Sequence, residues 1–173
     1  MKIAKIFITK LSIMMPEWEC DFIAYKALKK QLKLLDPDCG DEGFEQLLKN
    51  ELVRMNEFFL RKEQEYTIKF KLKDEAANIN NSEDATQVLS DLQQFHNKLN
   101  LLIRFHKLNL DAFMKIIKKH KRKTGKSLSF MQEDGQELVF IANPLDKLVA
   151  ECADLLVLTT QKTACTKGLC QST

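Results

Sequence analysis

Val88, Leu92, Phe95, Leu99, Leu102, His106, Asn109, Phe113 and Ile117 recur at intervals of four and three along the chain. This near-heptad spacing over about thirty residues predicts one long amphipathic helix, which cannot cover its own stripe. An earlier face supplies the partner: Phe44, Leu47, Leu48, Leu52, Met55, Phe58 and Phe59. Two long helices packed antiparallel cover both stripes, with the polar "NINNSED" as the turn between them. With only 3 Pro and 5 Gly in 173 residues, few positions force a break. The second long helix is expected to stop at Thr124-Gly125, where glycine suits a left-handed cap.

Shorter elements flank this pair. Ile3, Ile6, Phe7, Lys10, Leu11 and Met14 fall at helical spacing, and Pro16, Glu17 and Glu19 suit the first turn of a further helix. That helix continues through Trp18, Phe22, Tyr25, Leu28, Leu32 and Leu35 until Asp36-Pro37, so the first two segments read as a helical hairpin. "DPDCGDEG" is a turn. Leu145, Leu148, Val149, Cys152, Leu155 and Leu156 predict a last helix starting near Asn143-Pro144. The "QEDGQ" turn before it fits either helix and loop or a small hairpin. The fold class expected is all-α: an N-terminal helical hairpin on two long antiparallel helices, with short C-terminal helices. Residues 1–156 form the domain, and 157–173 a polar, disordered tail.

Several function classes lose support. The chain shows no Gly-rich phosphate loop, no nucleophilic Ser elbow and no His or carboxylate cluster at ligand spacing, so no enzyme is expected. His96, His106 and His120 read as core or rim residues, and Glu63 and Glu65 as a solvated helix face. The odd set Cys20, Cys39, Cys152, Cys165 and Cys170 reads as reduced thiols of an intracellular protein, with no metal site. No signal peptide is recognised, and no uninterrupted apolar run approaches a membrane span.

The positive charge is concentrated. Net charge is only +3, yet Lys115 to Lys126 holds seven basic residues and no acidic one. Like charges four apart on a helix cost roughly 0.2–0.5 kcal/mol per pair, so the cluster needs a reason. Lys115, Lys118, Lys119 and Arg122 recur at three and four as one stripe, with Phe113, Ile116 and Ile117 as its buried neighbours. Upstream, "YKALKK" places Tyr25 and Lys29 one turn apart on the same side. If the two clusters converge, several ammonium groups and a phenol could hold more than one phosphate. A basic stripe alone is more often a solvated surface.

These residues resemble the SPX domain. The resemblance begins at the opening Met-Lys and runs through "PEWECDFIAYKALKKQLKLL", "FEQLLKNELVRMNEFFLRKEQEY" and "LQQFHNKLNLLIRFHKLNLDAFMKIIKKHKRKTG", with a weaker echo in "LDKLVAECADLL". It is strongest toward the stand-alone SPX proteins of plants. The resemblance implies a helical hairpin on a bundle and a basic surface that binds inositol polyphosphates and pyrophosphates. It implies a sensor of phosphate status, in nucleus or cytoplasm, whose liganded form binds Myb-type phosphate-starvation transcription factors. The family's phosphate cluster falls on Tyr25, Lys29 and Lys119, its lysine surface on Lys115, Lys118 and Arg122, with Lys2 beside the site. No cofactor is implied beyond that ligand. Lys121 departs from the family's usual Asp, Arg122 replaces a common Lys, and the region after Gly125 lacks the Pro-Phe pattern. A basic helix that binds nucleic acid and a constitutive helical adaptor stand as alternatives.

Overall fold

The computed structural model describes residues 13, 15–36, 40–78, 85–128, 130 and 145–169. The expected first helix, the "NINNSED" turn, the hairpin or loop at 131–144, Lys2 and Cys39 lie outside the described residues, as do the side chains of Cys165 and Cys170. A 3-10 turn, Pro16–Asp21, is followed by α1 (Tyr25–Leu34), α2 (Glu42–Asn78), α3 (Ala85–Thr124) and α4 (Leu145–Leu169). No strand occurs among the described residues, and the fold is all-α. No described helix is long and apolar enough to cross a membrane.

The chain divides into two compact units, residues 1–60 with 105–142, and residues 61–104 with 143–173. In the first, α1 and the facing halves of α2 and α3 bury one cluster containing Ile23, Leu28, Leu32, Phe44, Leu48, Met55, Phe113, Ile116 and Leu128. Phe44 meets His120 near one end of the pair, and Phe59 meets His106 further along, so α2 and α3 run antiparallel here. Trp18 is fully buried against Phe58 and Phe105. Truncation of a core Trp to Ala costs about 3–5 kcal/mol, so the 3-10 turn is anchored by one ring. In the second unit, Tyr66 and Phe70 of α2 pack on Phe95 of α3. Leu92, Leu99 and Leu102 of α3 are buried there, as are Leu145, Leu148 and Cys152 of α4.

Four expectations are corrected. The helix predicted from Pro16 to Leu35 is interrupted at Phe22–Ala24, because tertiary hydrogen bonds take the backbone groups that a continuous helix would use. The stripe of α3 shifts after Leu102: Phe105, Ile116 and His120 are buried, whereas His106 and Ile117 are half-buried. The buried positions from Leu92 to His120 keep a three-and-four spacing that includes Asn109 and Phe113, so the face is the expected one with two of its positions moved by one residue. On α2, Leu47 of the expected apolar face is exposed. The helix Leu145–Leu169 is 25 residues long, so the expected polar tail is helical as far as Leu169. The hydroxyls of Thr159 and Thr160 donate to Leu155 O and Leu156 O, which lets the polar residues stay within the helix.

The expected stop at Thr124 holds. Gly125 adopts φ 73° and its N–H donates to Lys121 O, closing α3 with a residue that has no Cβ to strain.

Candidate functional site

Tyr25 is the first residue of α1, and its position is set before the helix begins. Ala24 caps the helix without a side-chain bond. Instead, Ile23 N–H donates to Asn109 Oδ1 at 2.8 Å and Ala24 N–H donates to Glu51 Oε2 at 3.0 Å. Asn109 is fully buried on α3 and returns its own Nδ2 to Phe105 O. A buried N–H left without a partner costs about 1–3 kcal/mol, so a polar residue in the apolar stripe of α3 has a structural reason. Arg54 completes the junction, donating to Cys20 O, Phe22 O and Glu51 Oε2.

The far end of α1 is also tied to α3. Lys123 Nζ donates to Leu32 O at 3.0 Å and to Lys33 O at 2.8 Å. These are carbonyls that a helix C-terminus leaves without internal partners, and a cation there also suits the helix dipole. Contacts Ile23–Asn109, Tyr25–Lys119 and Leu32–Lys123 follow the same order on both helices, so α1 runs alongside the end of α3 in the same direction.

Between these two fastenings the predicted residues meet in part. Lys119 Nζ lies 5.6 Å from the centroid of the Tyr25 ring, and both residues are half-buried. Such a contact adds roughly 0.5–1 kcal/mol at an exposed site and more when desolvated. Lys29 is exposed one turn beyond Tyr25, and Lys115, Lys118 and Arg122 are exposed on the turns around Lys119. None of these five cations forms an ion pair among the described residues. Lys26, Lys30 and Lys33 add to the charge, since α1 carries four lysines and no acid. Lys2 lies outside the described residues.

Chemically, this is a seam of two helices that run in the same direction, with one ammonium on a phenol ring and further cations on both sides. It can receive an anion with several negative groups, each as a point-charge contact. It offers no nucleophile beside a base, and no group of three or more His, Cys, Asp or Glu that could hold a metal occurs among the described residues.

One feature was not read from the sequence. Lys123 looked like part of the basic cluster, yet it is a structural donor to α1. His120, read as a core or rim residue, is fully buried, stacked on Phe44 and bonded through Nε2 to Asp41 Oδ2 at 2.7 Å. It falls four residues after Ile116 on the inward face. Asn109 gave a comparable signal as a polar residue at a core position.

No family model matches the chain. SPX domain-containing protein 2 of Arabidopsis thaliana is 32% identical over 186 residues, covering 90% of this chain and 65% of the relative. SPX domain-containing protein 1 of the same plant is 32% identical over 179 residues, covering 90% and 70% respectively. In rice, Oryza sativa subsp. indica, SPX domain-containing protein 1 is 33% identical over 190 residues, covering 90% and 64%. The chain therefore spans about two thirds of the length of these relatives. None of the three carries the name of an enzyme. Identity at this level across nine tenths of the chain, on an all-α fold that joins the "YKALKK" and "KIIKK" segments, means that the chain belongs to the SPX domain-containing proteins.

Proposed function

We propose that the protein is a non-enzymatic sensor of inositol polyphosphates or pyrophosphates. Tyr25, Lys29 and Lys119 would hold one phosphate group, with Lys115, Lys118 and Arg122 around them and Lys2 beside the site. The observation that carries this reading is the Lys119 ammonium seated on the Tyr25 ring between two cationic helix faces. Each hydrogen bond to a charged group contributes about 1.5–3 kcal/mol, so four or five such contacts reach micromolar affinity after the cost of association. The ligand also relieves the repulsion among these lysines, which makes the free protein responsive to it.

On this reading the liganded domain binds a Myb-type phosphate-starvation transcription factor in the nucleus or cytoplasm, and no cofactor takes part. Coupling requires that the ligand bind the complex more tightly than the free protein. Nucleic-acid binding by the α3 stripe is less favoured, because its one interleaved aromatic, His120, is buried. Calorimetry with inositol hexakisphosphate tests the ligand site on wild type, Lys29→Ala and Lys119→Ala. The expected result is micromolar binding by wild type and at least tenfold weaker binding by both variants, a loss of about 1.4 kcal/mol or more. Equal affinities for the three proteins would sink the assignment. A pull-down of nuclear proteins with and without inositol pyrophosphate tests the partner, where a ligand-independent complex would instead favour an adaptor.

A further inference from the structure

Residues Phe22 to Ala24 lie between the 3-10 turn, which holds Cys20, and α1, and they are not helical. Their course is set by side chains from the two long helices. The Cys20 and Phe22 carbonyls accept from Arg54, the Ile23 N–H donates to Asn109 and the Ala24 N–H donates to Glu51. Glu51 Oε2 also accepts from Arg54 at 2.8 Å, so one carboxylate oxygen links the guanidinium to the first turn of α1. Ala24 has φ −71° and ψ 50°, and Tyr25 N–H donates to Ile23 O at 2.7 Å. This is the geometry of an inverse γ-turn, a sharp bend that aims the chain into α1.

The bend decides which side of α1 carries Tyr25. A helix rotates one residue in about 3.6 per turn, so a slip of a single residue at Ala24 would turn Tyr25 and Lys29 away from α3. We infer that Arg54, Glu51 and Asn109 are positioning residues that place Tyr25 beneath Lys119 and thereby set the geometry of the polyphosphate site. This inference rests on the reading of that site proposed above. Arg54 acts through its planar fork, which reaches two carbonyls and a carboxylate at once, whereas a lysine ammonium lacks that geometry.

The test uses the full chain and separates charge from geometry. Arg54→Lys keeps the charge and removes the fork. Without ligand, the ε-methylene protons of Lys119 should carry an upfield ring-current shift from Tyr25 in the wild-type NMR spectrum. That shift should be lost in Arg54→Lys as it is in Tyr25→Leu. In calorimetry with inositol hexakisphosphate, Arg54→Lys should bind about tenfold more weakly, and should cause a smaller loss in a Lys119→Ala background. A retained ring-current shift, a wild-type affinity, or full additivity with Lys119→Ala would each overturn the inference. Glu51→Gln keeps an acceptor for Ala24 N–H and serves if Arg54→Lys does not fold, with a smaller loss of both signals expected. Failure of the wild type to bind inositol hexakisphosphate overturns the polyphosphate reading, while the ring-current comparison still decides whether Arg54 places Tyr25.

Discussion

Among the described residues, two lysine-on-tyrosine contacts are of nearly equal length. Lys119 lies 5.6 Å from the Tyr25 ring centroid in the first unit, and Lys69 lies 5.7 Å from the Tyr66 ring centroid in the second. Their electrostatic surroundings differ. Lys69 shares Glu65 with Lys62, at 2.6 and 2.8 Å, all within three turns of one helix. Lys119 has no carboxylate partner among the described residues, and its ring comes from a different helix. The first contact leaves a cation available at a seam, whereas the second neutralises it locally. A lysine over a tyrosine is therefore not by itself an anion site. The surrounding carboxylates decide.

The largest expected effect separates the two contacts directly. Lys119→Ala should weaken inositol hexakisphosphate binding by roughly ten- to a hundredfold, the loss of one or two charge-assisted contacts. Lys69→Ala should leave the affinity within about twofold, because that charge is already paired and screening limits its reach. Equal losses would mean that only bulk charge attracts the ligand. The next test converts the first contact into the second. Lys115→Glu places a carboxylate four residues before Lys119, the same spacing as Glu65 before Lys69. Binding should weaken roughly tenfold, and more than in Lys115→Ala, because the new carboxylate engages Lys119 as well as repelling phosphate. Calorimetry of both variants at one ionic strength checks the difference.

The contrast also shows what the sequence made legible. The long helices were readable because their apolar stripes extend over many turns, and the stop at Gly125 because left-handed backbone favours glycine. The candidate cations Lys29, Lys115, Lys118, Lys119 and Arg122 were readable from helical spacing and from the family resemblance. Lys123 was not separable from them. Its neighbours in sequence are equally basic, and only the approach of α1 shows that its ammonium meets two carbonyls. The break at Phe22–Ala24 was hidden for a related reason. The local pattern favours one continuous helix, while Arg54, Glu51 and Asn109 act on it from far along the chain. Side chains that bond distant backbone leave little periodic trace.

That distinction gives a test of intermediate size. Lys123→Met keeps most of the apolar stem and removes two hydrogen bonds to the end of α1. It should lower unfolding free energy by about 1–2 kcal/mol, because the Leu32 carbonyl loses its donor in a partly buried setting. Denaturant unfolding reads this loss. Inositol hexakisphosphate binding should fall by less than in Lys119→Ala, and a larger fall would place Lys123 among the binding cations.

The smallest effect belongs to the neutralised contact and is seen in its pH dependence. Hydrogen bonds from Lys62 and Lys69 hold the Glu65 carboxyl below its ordinary value of 4.5, against a smaller opposing effect of burial. A carboxylate whose folded pKa is depressed stabilises the fold above its unfolded value and loses that contribution as pH falls through the folded value. Glu65 is partly exposed, so solvent and salt screen the ion pairs and leave only a few tenths of a kcal/mol. Glu65→Gln should therefore be slightly less stable than wild type at neutral pH, with the difference vanishing as pH drops below 4.5. Inositol hexakisphosphate binding at neutral pH should not change. A gain in binding on removing Glu65 would mean that the Lys69–Tyr66 contact is also an anion site, restrained only by its carboxylate.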